Sequence, residues 1–326
     1  MAPKSGTLED VLAVVCPGQG AQAPGMLSPW LEMPSVAERI ARYADAAGLA
    51  LVAHGTTSDA DTIRDTAVAQ PLLVATALAT ARELLGDAAS EGNTALMDNT
   101  APSVAAGHSV GEFAAAALAG VFSDTDAMLM VSVRATAIAT AAAASEPTSM
   151  AAVLGGDPDD VLATLASFGL TPANVNGGGQ VVAAGAREAI ARLLAEPPAK
   201  SRVIELQVAG AFHTAYMKPA VATLSAAAAG IAVADPTSIL VSNADGSPVA
   251  SGARALDLMV AQVANPVRWD LCQQTMLDIG VTAMIEAAPG GVLTGLAKRS
   301  MPGIPCFALK SPADLAAARD LMETHS

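Results

Sequence analysis

Short, wholly apolar runs alternate along this chain with longer segments of helical pattern. Leu12-Ala13-Val14-Val15-Cys16 is apolar throughout and is closed by Pro17-Gly18, which predicts a buried strand ended by a turn. Helical segments follow, among them Thr66 to Leu85, where Pro71 marks an early kink or a start. Pro102-Ser103-Val104-Ala105-Ala106 is a second strand-sized run, and Asp124 to Ala144 is strongly helical. A distinct unit comes next. Ser149 to Leu154 reads as a strand, and Asp157-Pro158 opens a helix to about Phe168, with proline at an early helical position. Thr171 to Val175 and Gln180 to Ala184 are short strands around Asn176-Gly177-Gly178-Gly179. Ala186 to Ala195 is helical and Arg202 to Val208 is a strand. That order, β-α-β-β-α-β, is the ferredoxin-like split motif.

Past this unit, Ala211 to Ala229 reads as helix, and Ser238 to Ser242 as a strand ended by Asn243-Ala244-Asp245-Gly246. Asp257 to Ala264 is helical before Asn265-Pro266. Thr282 to Ala287 is a strand closed by Pro289-Gly290-Gly291, Leu293 to Ser300 a helix, and Pro305 to Leu309 a last strand. The alternation predicts an α/β sheet with helices on both faces. There is no internal repeat and no low-complexity linker.

Composition narrows the class. The 326 residues suit one large domain or one and a half. The chain is 52% hydrophobic but only 3% aromatic because alanine dominates, and alanine fills helices well. No uninterrupted apolar run reaches the length of a membrane span, and MAPKSGTLED at the N-terminus lacks the apolar core of a signal peptide. Cys16, Cys272 and Cys306 are widely spaced, and no Cys/His cluster has zinc-site spacing. The expectation is a cytoplasmic, reduced, metal-free protein with no membrane partner. The net charge of −14, with no offsetting basic run, argues against a nucleic-acid partner and reads as solubility.

The candidate chemistry sits at Gly107-His108-Ser109-Val110-Gly111-Glu112, which spells G-x-S-x-G between a strand-sized run and an alanine-rich helical segment. That is the layout of a nucleophile elbow, with Gly107 and Gly111 letting the backbone turn sharply around Ser109. A serine needs a base to take its proton. Of four histidines, His325 is in the terminal tail, His54 lies in a polar loop segment, and the turn should send the His108 side chain elsewhere. His213, in a loop between a strand and a helix, remains as the favoured base. A hydrolase of this kind would place an acid after a strand between serine and histidine; the only one well placed by sequence is Glu205, inside the small unit's last strand and a poor candidate. A backbone carbonyl can orient the imidazole instead.

An anionic intermediate needs donors. One is the N–H of Val110, directly after the nucleophile, and a second can come from the turn Pro17-Gly18-Gln19-Gly20-Ala21-Gln22. Arg134 is the one charged residue between Ala127 and Ala144 of its helical segment. It is either a solvated face residue or a carboxylate clamp, since its fork binds both carboxylate oxygens.

Taken together, these motifs resemble the malonyl-CoA:acyl-carrier-protein transacylases of bacterial type II fatty-acid synthesis, with an actinobacterial flavour. The resemblance runs nearly end to end. It begins at Pro17-Gly18-Gln19-Gly20, passes through Gly107 to Glu112, Asn174 to Val182 and Ala211-Phe212-His213-Thr214, continues through Gln262 to Trp269, and ends at Pro289 to Arg299. It implies an α/β-hydrolase-like large domain (1–136 and 208–326) with an inserted ferredoxin-like small domain (137–207). By the same resemblance Ser109 is the nucleophile and His213 the base. The oxyanion donors are the backbones of Gln19 and Val110, and Arg134 holds the malonyl carboxylate. Gln262 lies near the carbonyl that orients the histidine, and Asn174 or Asn176 lines the cleft. Phe212, just before the base, is implied to exclude a methyl branch on the acyl group. The implied partners are malonyl-CoA, as substrate, and acyl carrier protein. No cofactor is implied, and a monomer is expected. Lys298, Arg299 and Arg268 are candidates for a basic carrier-docking patch. Departures from the family pattern fall at Ala288 and Ala135, where glycine is usual, and neither is a catalytic position. The rival readings are a serine thioesterase, a non-catalytic carrier-protein binder, and the same chemistry on another acyl group.

Overall fold

A computed structural model describes residues 10–86 and 102–325. The N-terminal stretch read for a signal peptide lies, apart from its last residue, outside the described residues. The strands are β1 (Leu12–Cys16), β2 (Val104–Gly107), β3 (Thr148–Gly155), β4 (Thr171–Gly177), β5 (Gln180–Ala186), β6 (Ser201–Leu206), β7 (Ile239–Val241), β8 (Pro248–Val249), β9 (Val267–Arg268), β10 (Ala283–Glu286) and β11 (Cys306–Ala308).

The continuous apolar runs build the first sheet, in the order β11-β10-β1-β2-β7-β8. Its first five strands pair in parallel, and only β8 returns antiparallel on β7. Every residue of β1, β2 and β10 is buried, as expected of parallel strands covered by helices on both faces. The larger apolar cluster lies on one face and a second cluster, around Trp269, Met276, Met284 and Leu296, on the other. The helices Thr66–Leu85 and Asp124–Ala144 are long and apolar enough to span a membrane, contrary to the expectation drawn from uninterrupted runs. Their alanines and threonines raise the mean hydropathy without forming one run. Both pack against each other and against the elbow helix Gly111–Leu118, as core helices do.

The second sheet has the order β6-β3-β5-β4-β9. Neighbouring strands among β3 to β6 pair antiparallel and are joined through the helices Pro158–Ser167 and Arg187–Ala195, the ferredoxin-like arrangement. Leu165, Leu170, Ile190 and Leu193 give it a core of its own. β9 arrives from far along the chain and pairs in parallel with β4, so the unit is stitched to the rest at its edge. The sequence division at 136/137 falls inside the unbroken helix Asp124–Ala144.

Beyond shifts of one or two residues at element ends, two helices start elsewhere than the sequence predicts. Helix does not begin at Ala211. A short 3-10 turn, Ala215–Met217, leads into the helix Lys218–Ala228, and His213 sits on the preceding turn at φ 59°. The helix expected from Asp257 starts at Gly252, capped by the Ser251 side chain, and ends at Gln262. Pro71 does not start its helix, because Asp65 caps the N-terminus at Thr66 and Pro71 lies inside.

Candidate active site

The elbow is built from contacts that exclude any side chain at its glycines. A Cβ on Gly107 would lie 2.0 Å from the carbonyl carbon of Gly111, and one on Gly111 would lie 2.2 Å from the Cys16 oxygen. Neither glycine has positive φ. Ser109 carries the unusual conformation itself, at φ 54°. The glycines are therefore needed for close approach rather than for their own freedom, and the backbone strain rests on the serine. Asn243, just past β7, staples this turn. Its Oδ1 accepts the Ser109 N–H at 2.7 Å, and its Nδ2 donates to the Gly107 carbonyl at 2.7 Å.

Ser109 Oγ lies 2.7 Å from His213 Nε2. On the far side of the ring, Nδ1–H donates to the main-chain carbonyl of Gln262 at 2.9 Å. A carbonyl only accepts, so the proton sits on Nδ1 and Nε2 faces the serine as an acceptor. Burial, helped by the Arg134 charge, pushes the imidazole pKa down to about 3, so it is a neutral base at physiological pH. No carboxylate takes part. Glu205 is exposed on β6 and accepts from Ser149 instead.

Val110 opens the elbow helix, and Gln19 lies on the turn after β1. Among the described residues neither main-chain N–H donates to a protein acceptor. The Gln19 side chain is held by the Thr66–Leu85 helix: its Oε1 accepts from Gln70 Nε2 at 3.3 Å.

Of the two readings of Arg134, the solvated face does not apply, because the residue is 1% exposed. Its Nη1 donates to Gln70 Oε1 at 2.5 Å and its Nη2 to Gln262 Oε1 at 2.9 Å. Nη2 also lies 3.5 Å from Ser109 Oγ. Its Nε is buried and has no partner among the described residues. Burial lowers its pKa to about 10, opposed by the charge of Glu112, so it stays a cation. Glu112 is buried beneath the elbow and accepts from the Asn243 N–H at 2.6 Å and from Gln262 Nε2. Burial pushes its carboxyl up to about 7, against those hydrogen bonds.

A cleft of about 380 Å³ opens between the two sheets and holds Ser109, His213 and Arg134. Phe212 lines it, and so do both Asn174 and Asn176. His108 does not turn away as expected from the elbow. It lines the cleft, with Nε2 2.8 Å from Asn176 Oδ1 and its ring edge-on to Trp269 at 5.7 Å. That contact needs the opposite sheet, which local sequence does not show. His54 lies on the helix Leu51–Thr56 rather than in a loop, 3.1 Å from Ser58 Oγ, and His325 follows the last helix. Arg268 is paired with Asp270, while Lys298 and Arg299 occupy the last turn of the helix Val292–Ser300. Among the described residues no group of three or more His, Cys, Asp or Glu side chains could hold a metal ion.

Sequence reasoning missed Gln70, Glu112 as a buried partner, and Asn243. Gln70 and Asn243 are neutral amides with no spacing rule. Glu112 carried a signal, an acid one turn past the nucleophile among apolar neighbours.

The family model for the acyl transferase domain matches residues 13–306. The malonyl CoA-acyl carrier protein transacylase of Mycobacterium tuberculosis is 50% identical over 305 residues, which cover 94% of this chain and 98% of that protein. The crystal structure of MCAT from Mycobacterium tuberculosis aligns with a TM-score of 0.87 at 49% identity, covering 95% of this chain and 99% of that one. A malonyl-transacylase solved in complex with its type II PKS acyl-carrier protein aligns with a TM-score of 0.85 at 30% identity, covering 95% and 99%.

Proposed function

The chain belongs to the acyl transferase family, and from that premise we propose that it moves the malonyl group of malonyl-CoA to the phosphopantetheine thiol of an acyl carrier protein, supplying fatty-acid elongation in the cytoplasm. Ser109 Oγ attacks the thioester carbonyl while its proton passes to His213 Nε2. The oxyanion is held by the main-chain N–H groups of Gln19 and Val110. The carbon–sulfur bond breaks, the thiolate of CoA takes the proton from His213, and malonyl-Ser109 remains. The carrier thiol then gives its proton to His213 and attacks the ester. Collapse of the second oxyanion returns the proton to Ser109 and releases malonyl-carrier protein. Every step uses a side chain or main-chain amide of this chain.

The observation that carries this reading is Arg134. It is a buried cation 3.5 Å from the nucleophile, with no carboxylate at ion-pair distance among the described residues. A site that keeps such a fork suits an acyl group with a free carboxylate. A thioesterase acting on simple acyl chains has no use for it, and an intact Ser109–His213 pair has no use in a non-catalytic binder. The test is transfer itself. Holo-carrier protein incubated with the enzyme and malonyl-CoA should gain one malonyl mass. The apo-carrier, which lacks the thiol, should gain none. Hydrolysis of malonyl-CoA without carrier labelling would overturn the reading.

A further inference from the structure

Arg134 and Glu112 are both buried, at 1% and 4% exposure, close together under the elbow. A guanidinium taken out of water needs a compensating charge. Glu112 supplies it in its ionised form, dominant above about pH 7, yet the two do not touch. The Gln262 side chain stands between them. Its Nε2 donates to Glu112 Oε2, and its Oε1 accepts from Arg134 Nη2 at 2.9 Å. The second Glu112 oxygen is taken by the Asn243 N–H at 2.6 Å. A carboxylate only accepts and a guanidinium only donates, so the amide fits one way round. The same residue offers its main-chain carbonyl to His213 and donates from Nε2 to the Ser109 carbonyl at 3.0 Å.

The separation matters for chemistry. A carboxylate in direct contact would occupy the arginine fork, and any incoming anion would have to displace it. Both groups that do touch the fork from within the core, Gln70 and Gln262, are neutral amides.

We infer that Glu112 is a positioning residue for substrate recognition: through Gln262 it balances the Arg134 charge from one amide away, which keeps the guanidinium oriented and open to the carboxylate of the incoming acyl group. This rests on the reading that Arg134 takes the malonyl carboxylate.

Three variants test it, each assayed with malonyl-CoA and acetyl-CoA beside the wild type and checked for folding by thermal melting. Glu112→Gln replaces one acceptor oxygen by an NH2 group. That group must face either the Asn243 N–H or the Gln262 amide, and turning Gln262 over would aim its NH2 at Arg134. The malonyl-over-acetyl ratio of kcat/KM should fall about tenfold or more, mainly through a higher KM for malonyl-CoA. Glu112→Asp, which keeps the charge, should recover part of that ratio. The double variant Glu112→Gln/Gln262→Glu restores the donor–acceptor match between these two side chains, but it sets a carboxylate directly on Arg134 and removes the donor to the Ser109 carbonyl. Total activity falls with that lost contact, so the readout is the malonyl-over-acetyl ratio, which should drop further. A purely structural role would lower both substrates together. A folded Glu112→Gln variant with the wild-type ratio, or a double variant that still prefers malonyl, overturns the inference. So does failure of both to fold, which would assign the carboxylate to stability. If the wild type itself fails to transfer malonyl, the functional reading has failed instead.

Discussion

His213 Nδ1 donates to the main-chain carbonyl of Gln262 at 2.9 Å, in the place where many serine enzymes put a carboxylate. The carbonyl fixes the tautomer without adding a negative charge beside the imidazole. Together with burial, this leaves a base that is neutral and whose Nε2 lone pair faces Ser109 at 2.7 Å. The base therefore needs no deprotonation step at physiological pH. Arg134 nearby disfavours the imidazolium, so in the proposed transfer the proton it accepts would pass readily to a departing thiolate.

Replacing this base should be costly and specific to chemistry. His213→Ala is expected to lower acylation by ~10²–10⁴, with a residual rate that rises with pH as hydroxide replaces the lost base. Burst-phase release of CoA measures it. Wild-type turnover at neutral pH would remove His213 from the mechanism.

Arg134 should select for a terminal carboxylate. Arg134→Ala is expected to lower kcat/KM for malonyl-CoA about 10- to 100-fold, on the scale of one or two charge-assisted hydrogen bonds, while acetyl transfer is kept or raised. Lysine should rescue only in part, because it lacks the planar fork. Equal losses on both substrates would make the arginine structural.

The buried histidine predicts how stability depends on pH. In the unfolded chain an imidazole titrates near the ordinary histidine value of 6.5, whereas folded His213 does so only near 3. Between those values the unfolded state binds more protons, so this contribution is present above about 6.5 and is lost as pH falls towards 3. Glu112 slopes the opposite way, since its folded pKa is raised to about 7 and its contribution is lost as pH rises. Comparing wild type with His213→Gln isolates the histidine. Between pH 7 and 5 the wild type should lose about 1–2 kcal/mol more than the variant in urea unfolding. Parallel losses would mean that the imidazole titrates freely.

Phe212 lines the cleft beside His213 and is 8% exposed. If its ring excludes a methyl branch, Phe212→Ser should narrow the gap between malonyl-CoA and methylmalonyl-CoA, chiefly by raising the specificity constant of the latter. One methyl group is worth roughly 1–3 kcal/mol, so the change should be about tenfold to a few hundredfold. An unchanged ratio on a folded variant would leave Phe212 a packing residue.

Much of the fold is legible in the sequence because buried parallel strands read as apolar runs bounded by Gly, Pro and Asn. β1, β2 and β10 show this directly, while the antiparallel β-α-β-β-α-β unit is legible from the order of its short strands and two helices. The turn carrying His213 is not legible as such, since Ala211 to Ala229 is alanine-rich and reads as helix through residues that the chain holds in a turn. The pairing of Ser109 with His213 is accessible because the G-x-S-x-G context and a shortage of histidines leave few partners. The surrounding amide network is not. Gln70, Gln262 and Asn243 come from three distant segments, and only the packed structure brings their donors and acceptors together. The reach of His108 to Asn176 likewise depends on the second sheet.

If Ser109 carries the acyl group between two thiols, mass spectrometry of the protein after brief exposure to malonyl-CoA will show it. One malonyl adduct is expected, mapped by peptide digestion to Ser109, absent from Ser109→Ala, and discharged on addition of holo-carrier protein. An adduct on another residue, or one that persists in folded Ser109→Ala, would contradict it.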